Sequence, residues 1–303
     1  MIHFIHQAFE EHPPISTLPE GPKKKLTTGK SGASVYDMGD KILKVYPERN
    51  KQKAFKYGSI MQKKNAYIKH CKYETSMTYI RSIRDIVMTM CLPDQISAKV
   101  YQYGFVQGKD NIQPYILMEK IQGIELYDYK PTGCIQDIHI LSGFMQTLKQ
   151  FNQSIQDTYH KHHDNDLPSC HRDLHPHNVF ILPNKQVKLI DFDLSICPFD
   201  VLRTNAFNSR KSLHNVLVNN VLHNNIAATN KYVKYDNMKE FIPHYIKEDA
   251  DLYQIYSILL YFKHHNKMVV PLISKLKSLK HKKEFIDTSI NILSCLLCKT
   301  VKF

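Results

Sequence analysis

Apolar and polar residues alternate in five short runs of the first 121 residues, and this period of two predicts β-strands. The runs lie in KKKLTTG, KSGASVYDMG, DKILKVYP, ISAKVYQYGFV and PYILMEKI, with glycines and the Gly39-Asp40 step marking turns between the early ones. Between the third and fourth runs the period lengthens. Lysine-rich sequence from about 50 to 90 reads as helical, and its second half spaces Tyr79, Ile80, Ile83, Ile86 and Val87 along one helical face. After Gly123 the chain turns mostly helical. One helix is expected over about 135–160, a strong one in DADLYQIYSILLYF, and two basic helices run to the end. Two β-type runs, VFIL and VKLI, interrupt this part and straddle Pro183-Asn184, a hairpin-turn pair.

The pattern predicts an α+β chain in three parts. Residues 1–22, with prolines at 13, 14, 19 and 22, read as an N-terminal extension. Residues 23–121 form a small antiparallel β-sheet lobe, and residues 122–303 a larger, mainly helical lobe with an irregular Asn-, Lys- and His-rich stretch over 194–246. Ligands commonly bind in the cleft between two such lobes.

Composition narrows the partners. Lysine and arginine total 41 against 28 acids, a net charge of +13 that favours an acidic or anionic partner: nucleotide phosphates, acidic proteins, inositol phosphates or an anionic membrane. No nucleic-acid-binding motif accompanies the charge. Seven cysteines are too few for a disulfide scaffold, and the odd count points to free thiols in a reducing, intracellular (cytoplasmic) compartment. Cys295 and Cys298 have no second pair at zinc-like spacing and read as residues of a buried helix face. His160, His162 and His163 sit at a helix end, where positive charge is favoured without any metal. The N-terminus has no signal-peptide pattern, and LYQIYSILLYF is too short to be a transmembrane segment.

The densest chemistry lies in CHRDLHPHNVFILPNKQVKLIDFDLS, residues 170–195. Asp173 and Asn178 are five residues apart, and Asp191 follows Asp173 by eighteen. A loop–strand–turn–strand hairpin brings all three to one end of a ribbon. A carboxylate and an amide oxygen together suit Mg²⁺, and the remaining carboxylate can orient an acceptor or take its proton. Phosphoryl transfer needs that combination.

HRDLHPHN resembles the catalytic loop H-R-D-L-x-x-x-N of the protein-kinase-like superfamily, and DFD resembles its D-F-G. The resemblance implies a bilobal protein-kinase-like fold with ATP and Mg²⁺ as cofactors. By it Asp173 is the catalytic base, Asn178 and Asp191 hold the metal, and His171 is a structural residue behind the loop. Upstream, LTTGKSGASVY supplies Gly29, Ser31 and Gly32 for a phosphate-covering turn, in a form similar to the glycine loop of aminoglycoside phosphotransferases. Lys44 in KILKVY takes the place of the phosphate-gripping lysine. Glu74, the only glutamate between Glu48 and Glu119, takes that of its helical partner. YILMEKIQG resembles the kinase hinge, with Met118 behind the adenine and the backbones of Glu119 and Ile121 on its edge. Val35, Ile42 and Ile181 are expected as apolar walls. Asp251 in DADLYQIYS matches the aspartate that anchors the catalytic-loop backbone, with Tyr253 where the family often has Trp.

The acceptor divides the reading. Arg172 is typical of protein kinases, where it binds an activation-segment phosphate. His175-Pro176 and Asp193 are closer to aminoglycoside- and fructosamine-type kinases. A divergent Ser/Thr protein kinase is the leading expectation. A small-molecule or lipid-headgroup kinase, acting on a small hydroxyl compound, follows it, and a pseudokinase or nucleotidyl transferase on the same fold comes last. Ser195, Thr204, Ser209 and Ser212 are potential phosphosites that read more simply as loop hydroxyls.

Overall fold

The computed structural model describes residues 2–9, 13–21, 24–28, 32–49, 77–160, 171–195, 250–276, 278–279 and 281–300. The chain divides into two compact units. The first draws on Met1–Cys91, Ala98–Lys120 and Phe192–Val218, the second on Leu92–Ser97, Ile121–Asp191 and Asn219–Phe303. The architecture is α+β, with a small antiparallel sheet in the first unit and mostly helices in the second. Sheet-rich sequence followed by helical sequence is the layout that the kinase-like resemblance implies.

In the first unit, five antiparallel strands stand in the order β1-β2-β3-β5-β4. They are β1 (Lys24–Thr28), β2 (Ser34–Asp37), β3 (Lys41–Val45), β4 (Val100–Gln107) and β5 (Ile112–Glu119). Because side chains alternate across a strand, the sheet has two unlike faces. Leu43, Val45, Val106, Tyr115 and Leu117 form the buried core, with Leu18, Tyr36 and Met38 packed against it. Lys44 and Ile42, which alternate with Leu43 and Val45, therefore share the opposite face. Their register partners complete it: Val35 and Ile116 flank Lys44, and Met118 pairs with Ile42. Helix α1 (Ile2–Phe9) lies on β4, where Phe4 stacks on Phe105 at 4.9 Å and meets Tyr103 edge-on at 5.2 Å. Helix α2 (Met77–Cys91) buries Tyr79, Ile83, Ile86 and Val87, the face expected from their spacing. The Tyr79 hydroxyl donates to the Ala8 carbonyl at 2.8 Å, satisfying one of the orphan acceptors at the end of α1.

The second unit holds a ribbon of β6 (Ile124–Glu125), β7 (Val179–Ile181) and β8 (Val187–Leu189). Its helices are α3 (Ile135–His160), α4 (Ala250–His265), α5 (Val270–Leu276) and α6 (Lys282–Thr300). Leu141, Phe144, Leu148 and Phe151 of α3, Ile255, Tyr256, Leu259 and Phe262 of α4, and Phe285 and Leu293 of α6 fill the core. Cys295 and Cys298 do lie on a helix, but both are exposed, which corrects the expectation of burial. The buried stripe of α6 runs through Phe285, Ile286, Ser289 and Leu293, and the two cysteines fall outside it. Among the described residues no helix is long and apolar enough to cross a membrane.

Helix α3 fixes the hairpin through a close approach. A Cβ on Gly143 would lie 2.5 Å from the Lys185 carbonyl in the β7–β8 turn, where Lys185 itself has φ +67°. Alanine in a helix gains about 1 kcal/mol over glycine, whereas overpacking against fixed backbone costs about 1–3 kcal/mol. The clash wins. Gly143→Ala is expected to lower the urea midpoint, and a midpoint at or above wild type would show that the turn yields.

Candidate active site

The hairpin gathers three of the sequence-identified polar residues. Val179 pairs with Leu189 and Ile181 with Val187, so Asn178 precedes one strand and Asp191 follows the other by two residues. The Ile190 N–H donates to the Asn178 carbonyl at 3.1 Å and closes that end of the ribbon. Asn184 caps the other end, where its side-chain oxygen accepts the Gln186 N–H at 3.1 Å, an Asx turn. The Asn178 amide nitrogen donates to the Asp173 carbonyl at 2.9 Å and also reaches Asp173 Oδ2 at 3.3 Å. With its nitrogen so committed, the amide oxygen is left for other partners. Asn178 and Asp191 both end on oxygen donors of the kind Mg²⁺ accepts from protein. Among the described residues no group of three or more His, Cys, Asp or Glu side chains suits a metal. His162 and His163 lie outside the described residues.

The loop carrying Asp173 is anchored from α4. Asp251, in the first turn of that helix, accepts the His171 N–H at 3.0 Å and the Arg172 N–H at 2.7 Å. Gln254, one turn later, accepts the Leu174 N–H at 2.5 Å. Burial alone would raise the Asp251 carboxyl. The Lys282 ammonium at 3.1 Å and the Arg172 N–H hold it below the ordinary carboxylate range. Arg172 and Asp191 both adopt left-handed backbone, with φ +66° and +64°. Such a conformation costs an L-residue roughly 1–2 kcal/mol, so both positions must be held by their surroundings. Asp251 holds the first. Arg172 is itself buried, 3% exposed.

His171 sits behind the loop, fully buried. Its Nδ1 accepts the Asp173 N–H at 3.3 Å, and its Nε2 faces the Ile190 carbonyl at 3.1 Å. That pattern fits a neutral ring with its hydrogen on Nε2. Burial lowers its pKa from 6.5, against the pull of the Asp251, Asp173 and Asp191 carboxylates. A depressed folded-state value means the unfolded chain takes the proton first as pH falls. Stability from this group is complete above about pH 6.5 and is lost below it. Unfolding midpoints should fall as the pH drops below about 6.5 in wild type, and His171→Gln should flatten that slope. Parallel slopes would contradict a buried neutral ring.

In the first unit, Lys44 meets Asp85 of α2 at 2.7 Å. Asp85 was missed in the sequence. Glu74, expected in that role, lies outside the described residues. Asp85 is 3% exposed and does more than pair with lysine. The Tyr46 hydroxyl donates to the same Oδ2, and the Phe192 N–H donates to Oδ1 at 2.8 Å. One carboxylate thereby ties β3, its following loop and the DFD segment together. The third residue of that segment, Asp193, is also bound to α2: Arg81 Nε donates to its carboxylate at 2.9 Å, and Arg84 donates to its carbonyl at 3.0 Å. A glycine here could make only the second contact. The signal for Asp85 was a lone acid among buried positions, which needs a distant partner to be tolerated.

The remaining positions divide between the units. Val35, Ile42 and Met118 are half-buried on the Lys44 face of the sheet. Ile181 is buried in the ribbon of the second unit, opposite Ile124. At the end of β5, the Glu119 N–H donates to the Lys99 carbonyl at 2.8 Å and the Lys120 N–H to the Asp40 carbonyl at 3.0 Å. Lys120 also binds Asp37 at 2.8 Å, which holds the Asp37 carboxyl below its ordinary range together with the Gly39 N–H. Gly32 has φ +79°, a backbone that favours glycine. Gly29 and Ser31 lie outside the described residues, as do Thr204, Ser209, Ser212 and the Tyr253 side chain. Ser195 is fully buried, so its hydroxyl is neither a solvated loop group nor an open phosphosite.

No protein-family model matches the chain. Solved structures similar to it include a high-resolution crystal structure of WbdD, at 13% identity over 86% of this chain and 51% of that one, with a TM-score of 0.38. Another is a co-crystal structure of WbdD and a kinase inhibitor, at 14% identity over 78% of this chain and 44% of that one, with a TM-score of 0.34. The chain spans about half the length of these structures.

Proposed function

We propose that the chain is an ATP- and Mg²⁺-dependent phosphotransferase that moves the γ-phosphate of ATP to a hydroxyl group, most simply a serine or threonine of a protein. The observation that carries this reading is the hairpin end. Asp173 and Asn178 are hydrogen-bonded to each other, Asp191 follows strand β8 by two residues at the same end of the ribbon, and Asp251 holds the loop from behind. Asn178 and Asp191 would hold Mg²⁺, which supplies charge neutralisation at the phosphates when bound. Asp173 aligns the acceptor hydroxyl and takes its proton. Lys44, fixed by Asp85, grips the α- and β-phosphates. Val35, Ile42 and Met118 offer apolar surface for adenine on the Lys44 face of the sheet, and the Glu119 backbone a hydrogen bond to its edge. The net charge of +13 suits an anionic nucleotide and an acidic partner.

A second reading has its own support. His175 and Asp193 both make specific contacts, and both are features similar to small-molecule kinases. Mass spectrometry of the purified chain after incubation with Mg²⁺-ATP separates the two. Phosphoserine or phosphothreonine on the chain or on an added protein is expected. ATP consumption only with a small hydroxyl compound would replace the protein acceptor with that class. No phosphorylated product and no ATP consumption would overturn both.

A further inference from the structure

We propose that His175 is a positioning residue that sets which oxygen of Asp173 faces the acceptor hydroxyl. The inference rests on the phosphotransferase reading and adds a residue to it. Protein kinases place a lysine two residues after the catalytic aspartate; this chain places an imidazole there. An imidazole is planar, and each of its two nitrogens can be given one task.

Here the two tasks are distinct. His175 is the N-cap of a 3-10 turn, Pro176–Asn178, and its Nδ1 accepts the His177 N–H at 3.3 Å. A nitrogen that accepts carries no hydrogen, so the ring N–H is on Nε2. Nε2 lies 3.5 Å from Asp173 Oδ2. The Asn178 amide nitrogen approaches the same Oδ2 at 3.3 Å. The Asn178 amide thus donates to Oδ2 and the His175 ring edge stands against the same oxygen, while among the described residues no donor reaches the other, Oδ1. The carboxylate is therefore held by Oδ2 and presents Oδ1.

The ring is held in turn. His175 is 8% exposed. His177, whose N–H fixes the ring orientation, is clamped at its own side chain. Its Nδ1 meets Glu125 Oε2 at 2.7 Å, and its ring stacks on Tyr127 with centroids 3.9 Å apart. Pro176 fixes the backbone between the two histidines. A general base works only within hydrogen-bond reach and with correct aim, and a misplacement of about 1 Å can cost about 100-fold. The His175 contact supplies that aim through Asp173.

Two substitutions separate the tasks of the ring. In His175→Asn the side-chain oxygen can still cap the 3-10 turn, since asparagine is a strong N-cap, but no donor extends to Asp173. In His175→Gln the longer amide carries an N–H to the former Nε2 position. Steady-state ATP turnover with Mg²⁺, Mg²⁺-ATP affinity by calorimetry and the thermal midpoint are measured for each. His175→Asn should lower kcat roughly 10- to 100-fold, leave KM for ATP and Mg²⁺-ATP affinity within about threefold, and keep the midpoint near wild type. His175→Gln should recover most of the lost kcat. If His175→Asn does not fold, His175→Met against His175→Gln makes the same comparison, because methionine has similar length and no donor. Unchanged kcat in the donor-free variants overturns the proposal, as does equal loss of kcat and thermal midpoint in all of them. An inactive wild-type chain is a different result: it overturns the phosphotransferase reading itself.

Discussion

Asp173→Ala is expected to remove phosphoryl transfer while leaving Mg²⁺-ATP bound with near wild-type affinity. The separation follows from geometry. Asp173 receives donors from Asn178 and faces His175, and the loop backbone is carried by Asp251 and Gln254 rather than by the Asp173 side chain. Asn178 still has the Asp173 backbone carbonyl at 2.9 Å to hold its amide, so its oxygen stays available to the metal. What disappears is the group that aligns the hydroxyl and takes its proton, worth about 100- to 10,000-fold in rate. Single-turnover transfer and calorimetric binding on the same preparation give both numbers. Equal loss of binding and transfer would mean that Asp173 belongs to the metal and not to the acceptor.

Asp85→Ala should be the most damaging single substitution in the first unit. The Lys44 ammonium and the Asp85 carboxylate are 12% and 4% exposed, so neither has water to fall back on. Removing one member of a buried pair typically costs about 3–5 kcal/mol, far above the ~0–1 kcal/mol of a surface ion pair. The Tyr46 hydroxyl and the Phe192 N–H lose the same acceptor. Lys44→Met in the Asp85→Ala background removes the buried ammonium that Asp85 neutralised and should restore part of the stability. The double variant is thus expected to unfold at higher urea than Asp85→Ala alone. A double variant that unfolds earlier than the single would contradict the ion pair as the source of the effect. Neither variant should turn over ATP, since both lose the phosphate-gripping lysine geometry.

Much of this arrangement is legible in the sequence because its determinants are local. Alternation in KILKVY sets which side chains share the Lys44 face, and the neighbouring strands add Val35 and Met118 by register. The hairpin follows from two β-type runs around Pro183-Asn184, and Asp173, Asn178 and Asp191 then gather at its far end. Asp251 is recognisable from its motif because the helix it opens is so apolar. Asp85 was not found, since the family pattern asks for a glutamate and Glu74 was the only one available. Its partner Lys44 is 41 residues away, a distance over which sequence spacing carries no contact information. Lys282, which reaches Asp251 from α6, is hidden for the same reason in a run of lysines that reads as solvated. Cys295 and Cys298 went astray differently: a helix was expected, but the phase of its buried stripe depends on what α6 packs against. Asp193 shows the limit of motif reading. The missing glycine was plain, while its bridge to Arg81 and Arg84 needed the fold.

The central claim is that this chain binds Mg²⁺-ATP and transfers its γ-phosphate through Asp173. The most direct measurement follows γ-labelled ATP with the purified chain, with Mg²⁺ and with the metal chelated, beside Asp173→Ala. Metal-dependent release or transfer of label is expected from wild type, and retained nucleotide binding without transfer from the variant. A wild-type chain that neither binds ATP nor moves its label in the presence of Mg²⁺ would contradict it.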